Sequence, residues 1–330
     1  MFGAPHDRPT YRLDDATIYF RSPVRIGDHW RELLGTVSLD KLYRTRLAFV
    51  ASDAHSSRAS ARAVEIIGEL ETRTYGALRA ILIQGNPFEN AAAGLEVRRV
   101  FDAGRFREES AHMRPRTSHH WEGILTIDDH VLDTARDVAR SIAKVFAAPN
   151  EFARLQRGLD HWDQATMEHR LDLRLHAVVR SLEALFAPDR GNTQRQFVDR
   201  CKVVVKARHA DRLLNEVYEL RSQVEHSNDW RLAFRKTRGS IDENDADWLA
   251  TFRVLQIELV ARRAYLRVLL DPTLLEIFRT DETIRAFWKS QNRARVWGRA
   301  MRLESEVNRI FDPHKRETLE QVLRVERTVA

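Results

Sequence analysis

The sequence predicts a mainly helical protein, with a helical bundle in its C-terminal half and a mixed N-terminal part that holds a few short strands. Three observations carry this expectation. Apolar residues recur at three- and four-residue spacing through most of the 330 residues, the mark of helices with one buried face. The breaks between these stripes are short and hold proline, glycine or acidic residues, as helix ends do. Strand-like material is concentrated near the N-terminus, before about Arg58.

In that first stretch, Ala16 to Phe20 and Leu42 to Val50 are rich in aromatic and branched residues and read as strands. Pro5, Pro9 and Pro23 limit their extension. From about Arg58 the pattern turns helical: Ala63, Ile66, Ile67 and Leu70, then Leu78, Ile81 and Leu82, recur on one face until Gly85-Asn86-Pro87. Residues 102–123, rich in Arg and His and containing Pro115, read as a loop. Asp128-Asp129 starts the next helix, because carboxylates cap free N–H groups and suit the positive helix end. Val131, Ala135, Val138, Ile142 and Val145 line it as far as Pro149-Asn150.

Four stripes follow. The first runs through Leu171, Leu175, Val178, Val179, Leu182 and Leu185, and the second through Phe197, Cys201, Val204 and Val205. The third joins Leu213, Leu214, Val217, Leu220 and Val224. After a polar loop from Gly239 to Asp247, the fourth extends from Trp248 to Leu270 and stops before Pro272. A last helix from about Met301 to Val325 carries Leu303, Val307, Ile310, Leu319, Val322 and Leu323, with a break at Pro313. Such stripes joined by short breaks are what a bundle needs. The organisation divides into 1–155, a mixed α/β segment of a size to sense or regulate, and 156–330, the bundle with basic C-terminal helices.

Composition narrows the functional classes. An apolar share of 43% with 31% charged residues describes a globular chain, not a disordered one. The first residues lack the continuous apolar stretch of a secretory signal, and no apolar run approaches the roughly 20 residues that span a bilayer. The single cysteine, Cys201, fits a reducing compartment, so the expected location is the cytoplasm. Net charge is +6 with a pI near 9.6, which suits an anionic partner. Seven of the 54 basic residues are lysine and 47 arginine. Two explanations stand: arginine's planar fork suits phosphate, or a GC-rich genome favours arginine throughout.

The end of the third stripe concentrates polar chemistry: Tyr218, Arg221, Ser222, Glu225 and His226, then Ser227-Asn228-Asp229. A histidine can take the proton of a ribose 2′-OH or give one to the departing 5′-oxygen, and arginine can hold the phosphate. An Arg and a His at this spacing also arise by chance in an Arg-rich chain, as solvated or capping groups. Arg221 follows Val217 by four residues, which places its stem beside the apolar stripe. His226 follows Arg221 by five, about 140° around an ideal helix. One straight helix does not aim both at one atom. Either the helix unwinds near His226 or two copies of the motif meet at a symmetric interface.

Residues 160–285 resemble the Apea-like branch of the HEPN superfamily. The likeness rests on three pieces in order: Leu-Arg-Leu-His-Ala-Val-Val-Arg-Ser-Leu-Glu-Ala-Leu-Phe at 173–186, a spacer helix beginning Gln196-Phe197-Val198-Asp199-Arg200, and Val217-Tyr218-Glu219-Leu220-Arg221-Ser222 with His226. The resemblance implies a helical bundle that forms homodimers and cuts RNA with paired Arg and His, without metal or cofactor. It makes Arg221 and His226 the catalytic candidates. Ser222 takes a position that is frequently Asn, Asp or His in active relatives. Glu183 is expected as a structural partner for an arginine, and Tyr218 either packs beneath Arg221 or stacks on a base. The implied setting is a toxin–antitoxin or antiviral defence system, with RNA, a second copy and an antitoxin or regulatory protein as partners. The alternative is an inactive HEPN module that binds nucleic acid or a protein.

A second candidate is basic. Arg285, Lys289, Arg293, Arg295, Arg299 and Arg302 alternate with Trp288 and Trp297, with no acid among them. Cations that track phosphates and rings that stack on bases suit single-stranded nucleic acid. The other reading is a basic face over two core tryptophans. His112, His119 and His120 share the Arg-rich segment, but no acid or Cys completes a convincing metal set with them.

Overall fold

The computed structural model describes residues 10–14, 16–20, 36, 48–51, 60–84, 94–102, 105–114, 127–168, 170–186, 191–226, 228–239, 241–310, 320 and 323–324. These are mainly helical, with a few short strands. The chain divides into two compact units, residues 1–85 with 89–143 and residues 86–88 with 144–330.

In the first unit, β1 (Thr10–Leu13), β2 (Ala16–Tyr19) and β3 (Ala48–Val50) form an antiparallel sheet in that order. Alternation decides which face is buried: Leu13, Ala16 and Ile18 point inward. Strand β3 takes the end of the expected 42–50 segment, and 42–47 lie outside the described residues. Helix α1 spans Ser60–Leu82. The expected loop from 102 is overturned over its first part. β4 (Gly94–Asp102) and β5 (Arg105–Arg114) form an antiparallel ribbon with an irregularity at Val100/Phe101, and His112 stands opposite Glu96 in it. His119 and His120 lie outside the described residues. Helix α2 (Asp129–Ala147) starts as expected, with the Asp128 carboxylate accepting from the Val131 N–H at 2.8 Å. Leu132, Ala135, Val138 and Ile142 are buried along it. Tyr11 donates to Asp133 at 2.7 Å and Arg140 to Asp14 at 2.9 Å, tying α2 to the sheet.

The second unit is built on α3 (Ala153–Met167), α4 (Leu171–Phe186), α5 (Thr193–Val204) and α6 (Ala210–Glu225). These continue into α7 (Leu232–Arg238) and α8 (Glu243–Leu270). Shorter helices follow: α9 (Pro272–Ile277), α10 (Asp281–Lys289), α11 (Arg293–Trp297) and α12 (Leu303–Ile310). Helix α4 is central, packing on α3, α5, α6, α8 and α10. The expected loop at 239–247 is shorter than its polarity suggests. Asp242 caps α8 by accepting from the Asn244 N–H at 2.9 Å, and Glu243 and Asp245 suit the positive first turn, so these acids belong to the helix start. Met301–Arg302 is a strand and not helix: β7 pairs in parallel with β6 (Val205–Lys206), which takes Val205 out of the α5 stripe. Of the rest of the expected last helix, residues 311–319, 321–322 and 325 lie outside the described residues.

Close approach and aromatic packing hold this unit together. The Tyr265 hydroxyl donates to the Ser181 carbonyl at 2.8 Å, and a Cβ on Gly158 would lie 2.1 Å from that hydroxyl. Only glycine fits there. Trp288 and Trp297 are each 2% exposed, set among Phe186, Phe278 and Phe287. Burying such rings contributes on the order of 1.5–3 kcal/mol apiece.

Two ion triads lie deeper still. Glu258 accepts from Arg174 at 2.8 Å and Arg262 at 3.2 Å, and Glu216 from Arg238 at 2.7 Å and Arg253 at 2.8 Å. Burial alone would raise both carboxyls, but the paired arginines hold them below the usual carboxylate range. Among the described residues, no helix is long and apolar enough to cross a membrane.

Candidate functional site

Helices α4 and α6 pack together and present matching polar stripes. On α6, Tyr218, Arg221 and Glu225 recur at helical spacing; on α4, His176, Arg180 and Glu183 do the same. Arg221 sits between them, 8% exposed. Its Nη2 donates to the Glu183 carboxylate at 3.4 Å and its Nη1 to Glu225. Glu183 also accepts from Arg180 at 3.0 Å, so it is a structural partner for two arginines. Tyr218 packs beneath Arg221, with the guanidinium carbon 5.6 Å from the ring centre. Its hydroxyl donates to Thr193 at 2.8 Å and its ring lies against Phe197, leaving no open face for a base.

The sequence reading gave His176 no role, yet it joins this cluster. Burial first, and then Arg221, hold its imidazole below the ordinary histidine range, while Glu225 pulls the other way. Its Nδ1 is buried without a hydrogen-bond partner among the described residues. Burial and the neighbouring guanidinium both oppose protonation of this ring.

His226 is placed differently. Helix α6 ends at Glu225, and His226 is its C-cap with φ −91° and ψ 8°. The backbone N–H donates to the Ser222 carbonyl at 3.1 Å. Its residue is exposed, whereas Arg221 is turned onto α4, and no hydrogen bond joins the two side chains among the described residues. Ser222 is half-buried between them in sequence. Within one chain, the motif therefore does not converge on a single point.

The charge balance shows where the site can open. The charges of Arg180 and Arg221 are matched by Glu183 and Glu225. Glu183 is 10% exposed at its side chain and Glu225 40%. Glu225 is the partner that can leave Arg221 for solvent, and a phosphate oxygen can take its place.

The basic C-terminal residues do not join this cluster. Arg285 reaches Asp281 at 3.3 Å and Arg293 donates to the Trp288 carbonyl at 2.9 Å, while Lys289, Arg295 and Arg299 are exposed. The tryptophans between them are core residues and offer no stacking face. Cys201 is buried, which pushes its thiol up and away from reactivity. Among the described residues, no group of three or more His, Cys, Asp and Glu side chains is arranged to hold a metal ion.

Comparison with family models finds no match, nor do comparisons with curated proteins and with solved structures.

Proposed function

We propose that the second unit is a HEPN-type endoribonuclease that cuts RNA without a metal and acts as a cytoplasmic homodimer in a toxin–antitoxin or antiviral defence setting. One observation carries the reading: a nearly buried Arg221 is held by the partly exposed carboxylate of Glu225, at the helix end where His226 is exposed. An RNA phosphate displaces that carboxylate and takes over its hydrogen bonds, which are strong because both partners are charged. The ribose 2′-oxygen attacks phosphorus, the 5′-oxygen leaves, and a cyclic phosphate forms. Arginine stabilises charge on the phosphoryl oxygens, and a histidine accepts the 2′-proton or donates one to the leaving oxygen. A second copy, docked through the bundle, supplies the convergence that His226 and Arg221 of one chain lack.

A second reading has its own support. Arg221 already has two carboxylate partners, as a structural arginine would, so the unit is then an inactive HEPN module that binds nucleic acid or a protein partner.

Labelled RNA incubated with purified protein in EDTA separates the two. The nuclease reading requires cleavage to cyclic-phosphate ends that is lost in Arg221→Ala and His226→Ala. Intact RNA with wild type, or equal cutting by both variants, sinks it. A monomer by light scattering at micromolar concentration removes the composite site.

A further inference from the structure

The pairing of β6 with β7 gathers basic residues that are far apart in the chain. Lys206 and Arg302 are direct register partners in the parallel pair, and both are exposed, while Val205 and Met301 take the inner positions. Arg299 precedes β7 and is exposed, as are Arg295 on α11 and Lys289 at the end of α10. None of these five forms an ion pair among the described residues.

That distinguishes them from other cations of the same unit. Lys202 pairs with Asp211 at 2.6 Å, Arg263 with Glu306 at 3.0 Å, and Arg279 with Glu276 at 3.3 Å. The acids at the start of α12 are also engaged: Glu304 accepts from the Arg208 backbone N–H, and Glu306 from Arg263 and Arg309. Lys206 and Arg302 on the paired strands, with Arg299 just before β7, are therefore left for an external anion.

We propose that Lys206, Arg299 and Arg302 form a docking surface for the phosphate backbone of double-stranded RNA. Charge complementarity sets the chemistry, and the buried tryptophans set the mode. Trp288 and Trp297, at 2% exposure, cannot stack on bases, so affinity comes from phosphates and is indifferent to sequence. A DNA duplex carries about one charge per 1.7 Å of axis, twice the density of one strand, and an RNA duplex likewise outdoes a single strand in charge density and rewards such a surface most. The choice of RNA over DNA rests on the ribonuclease reading; the use of the surface does not.

The test measures binding of the full chain to fluorescent duplex RNA, duplex DNA and single-stranded RNA across a salt series. Variants are Lys206→Glu/Arg299→Glu/Arg302→Glu, the same triple with Gln, and Arg195→Glu as a control on an exposed cation elsewhere. Circular dichroism melting verifies that each variant is folded. Expected are tightest binding to duplex RNA and at least a tenfold loss in the Glu triple. The Gln triple should weaken binding less and flatten the salt slope by roughly 0.9 per lost phosphate contact. Arg195→Glu should bind as wild type. No duplex RNA binding at low salt, unchanged binding in folded triples, or preference for duplex DNA or single strands would overturn the proposal. Triple-sensitive duplex binding without cleavage upholds the surface and sinks only the nuclease. Cleavage with triple-insensitive binding does the reverse.

Discussion

The unit that holds residues 144–330 contains arginine–glutamate clusters of two kinds, and the contrast lies in the exposure of their carboxylates. In the triads around Glu216 and Glu258 the carboxylates are 0% and 1% exposed. No route leads from solvent to those charges, and they join α6 to α7 and α8, and α4 to α8. In the cluster around Arg221 one carboxylate, Glu183, is 10% exposed, and the other, Glu225, is 40% exposed. It also holds a histidine that the triads lack. Burial of the arginine alone does not separate the two clusters; the exposure of its anionic partner does.

Breaking a triad should have the largest effect on stability. Glu258→Ala strands Arg174 and Arg262 in the core, and urea unfolding should show a loss of about 3–5 kcal/mol. Next in size is Gly158→Ala, where the added methyl meets Tyr265 and Ala184; overpacking of this kind costs about 1–3 kcal/mol. A loss below about 0.5 kcal/mol would mean that the approach of α3 to α4 is looser than described.

The triads also give a pH dependence. Folded Glu216 and Glu258 lie below the ordinary carboxylate value of 4.5. Below that ordinary value the unfolded chain binds more protons, so the stability they supply is complete above it and is lost as pH falls through their folded values. Denaturant midpoints should hold steady from pH 7 to about 5 and drop below about 4. A flat profile down to pH 3 contradicts this.

The smallest effect on stability belongs to Glu225→Gln, within about 1 kcal/mol because the lost pair is partly solvated. Its RNA affinity should rise several-fold, since the competing carboxylate is gone. A loss of affinity would show that Glu225 helps to position Arg221 and does not occupy the phosphate's place.

Much of this architecture is legible in sequence because one-sided apolar spacing survives into packing. Leu175, Val178, Val179, Leu182 and Leu185 on α4, and Leu213, Leu214, Val217 and Leu220 on α6, are all buried. The β4–β5 ribbon escaped because main-chain hydrogen bonds hold it, and its second strand, Arg-Phe-Arg-Glu-Glu-Ser-Ala-His-Met-Arg, shows no apolar alternation. β7 escaped because a strand as short as Met301–Arg302 has no period to read. At the site, Arg221's stem beside the apolar stripe correctly implied that it turns inward. The partnership with His176 was hidden, since polar spacing on α4 acquires meaning only once α6 is known to face it. The triads were hidden for the same reason: their members lie far apart in the chain, as Glu216 and Arg253 do.

The central claim is that Arg221 is held for chemistry and the triad arginines for structure. Arg221→Lys tests it most directly, with thermal unfolding and RNA cleavage in EDTA measured on one preparation. Lysine keeps the charge near Glu183 and Tyr218 but loses the planar fork that grips a phosphate. The expected result is a Tm within about 2 °C of wild type and cleavage reduced by about 100-fold or more. A clear fall in Tm with an unchanged cleavage rate per folded molecule would contradict the account.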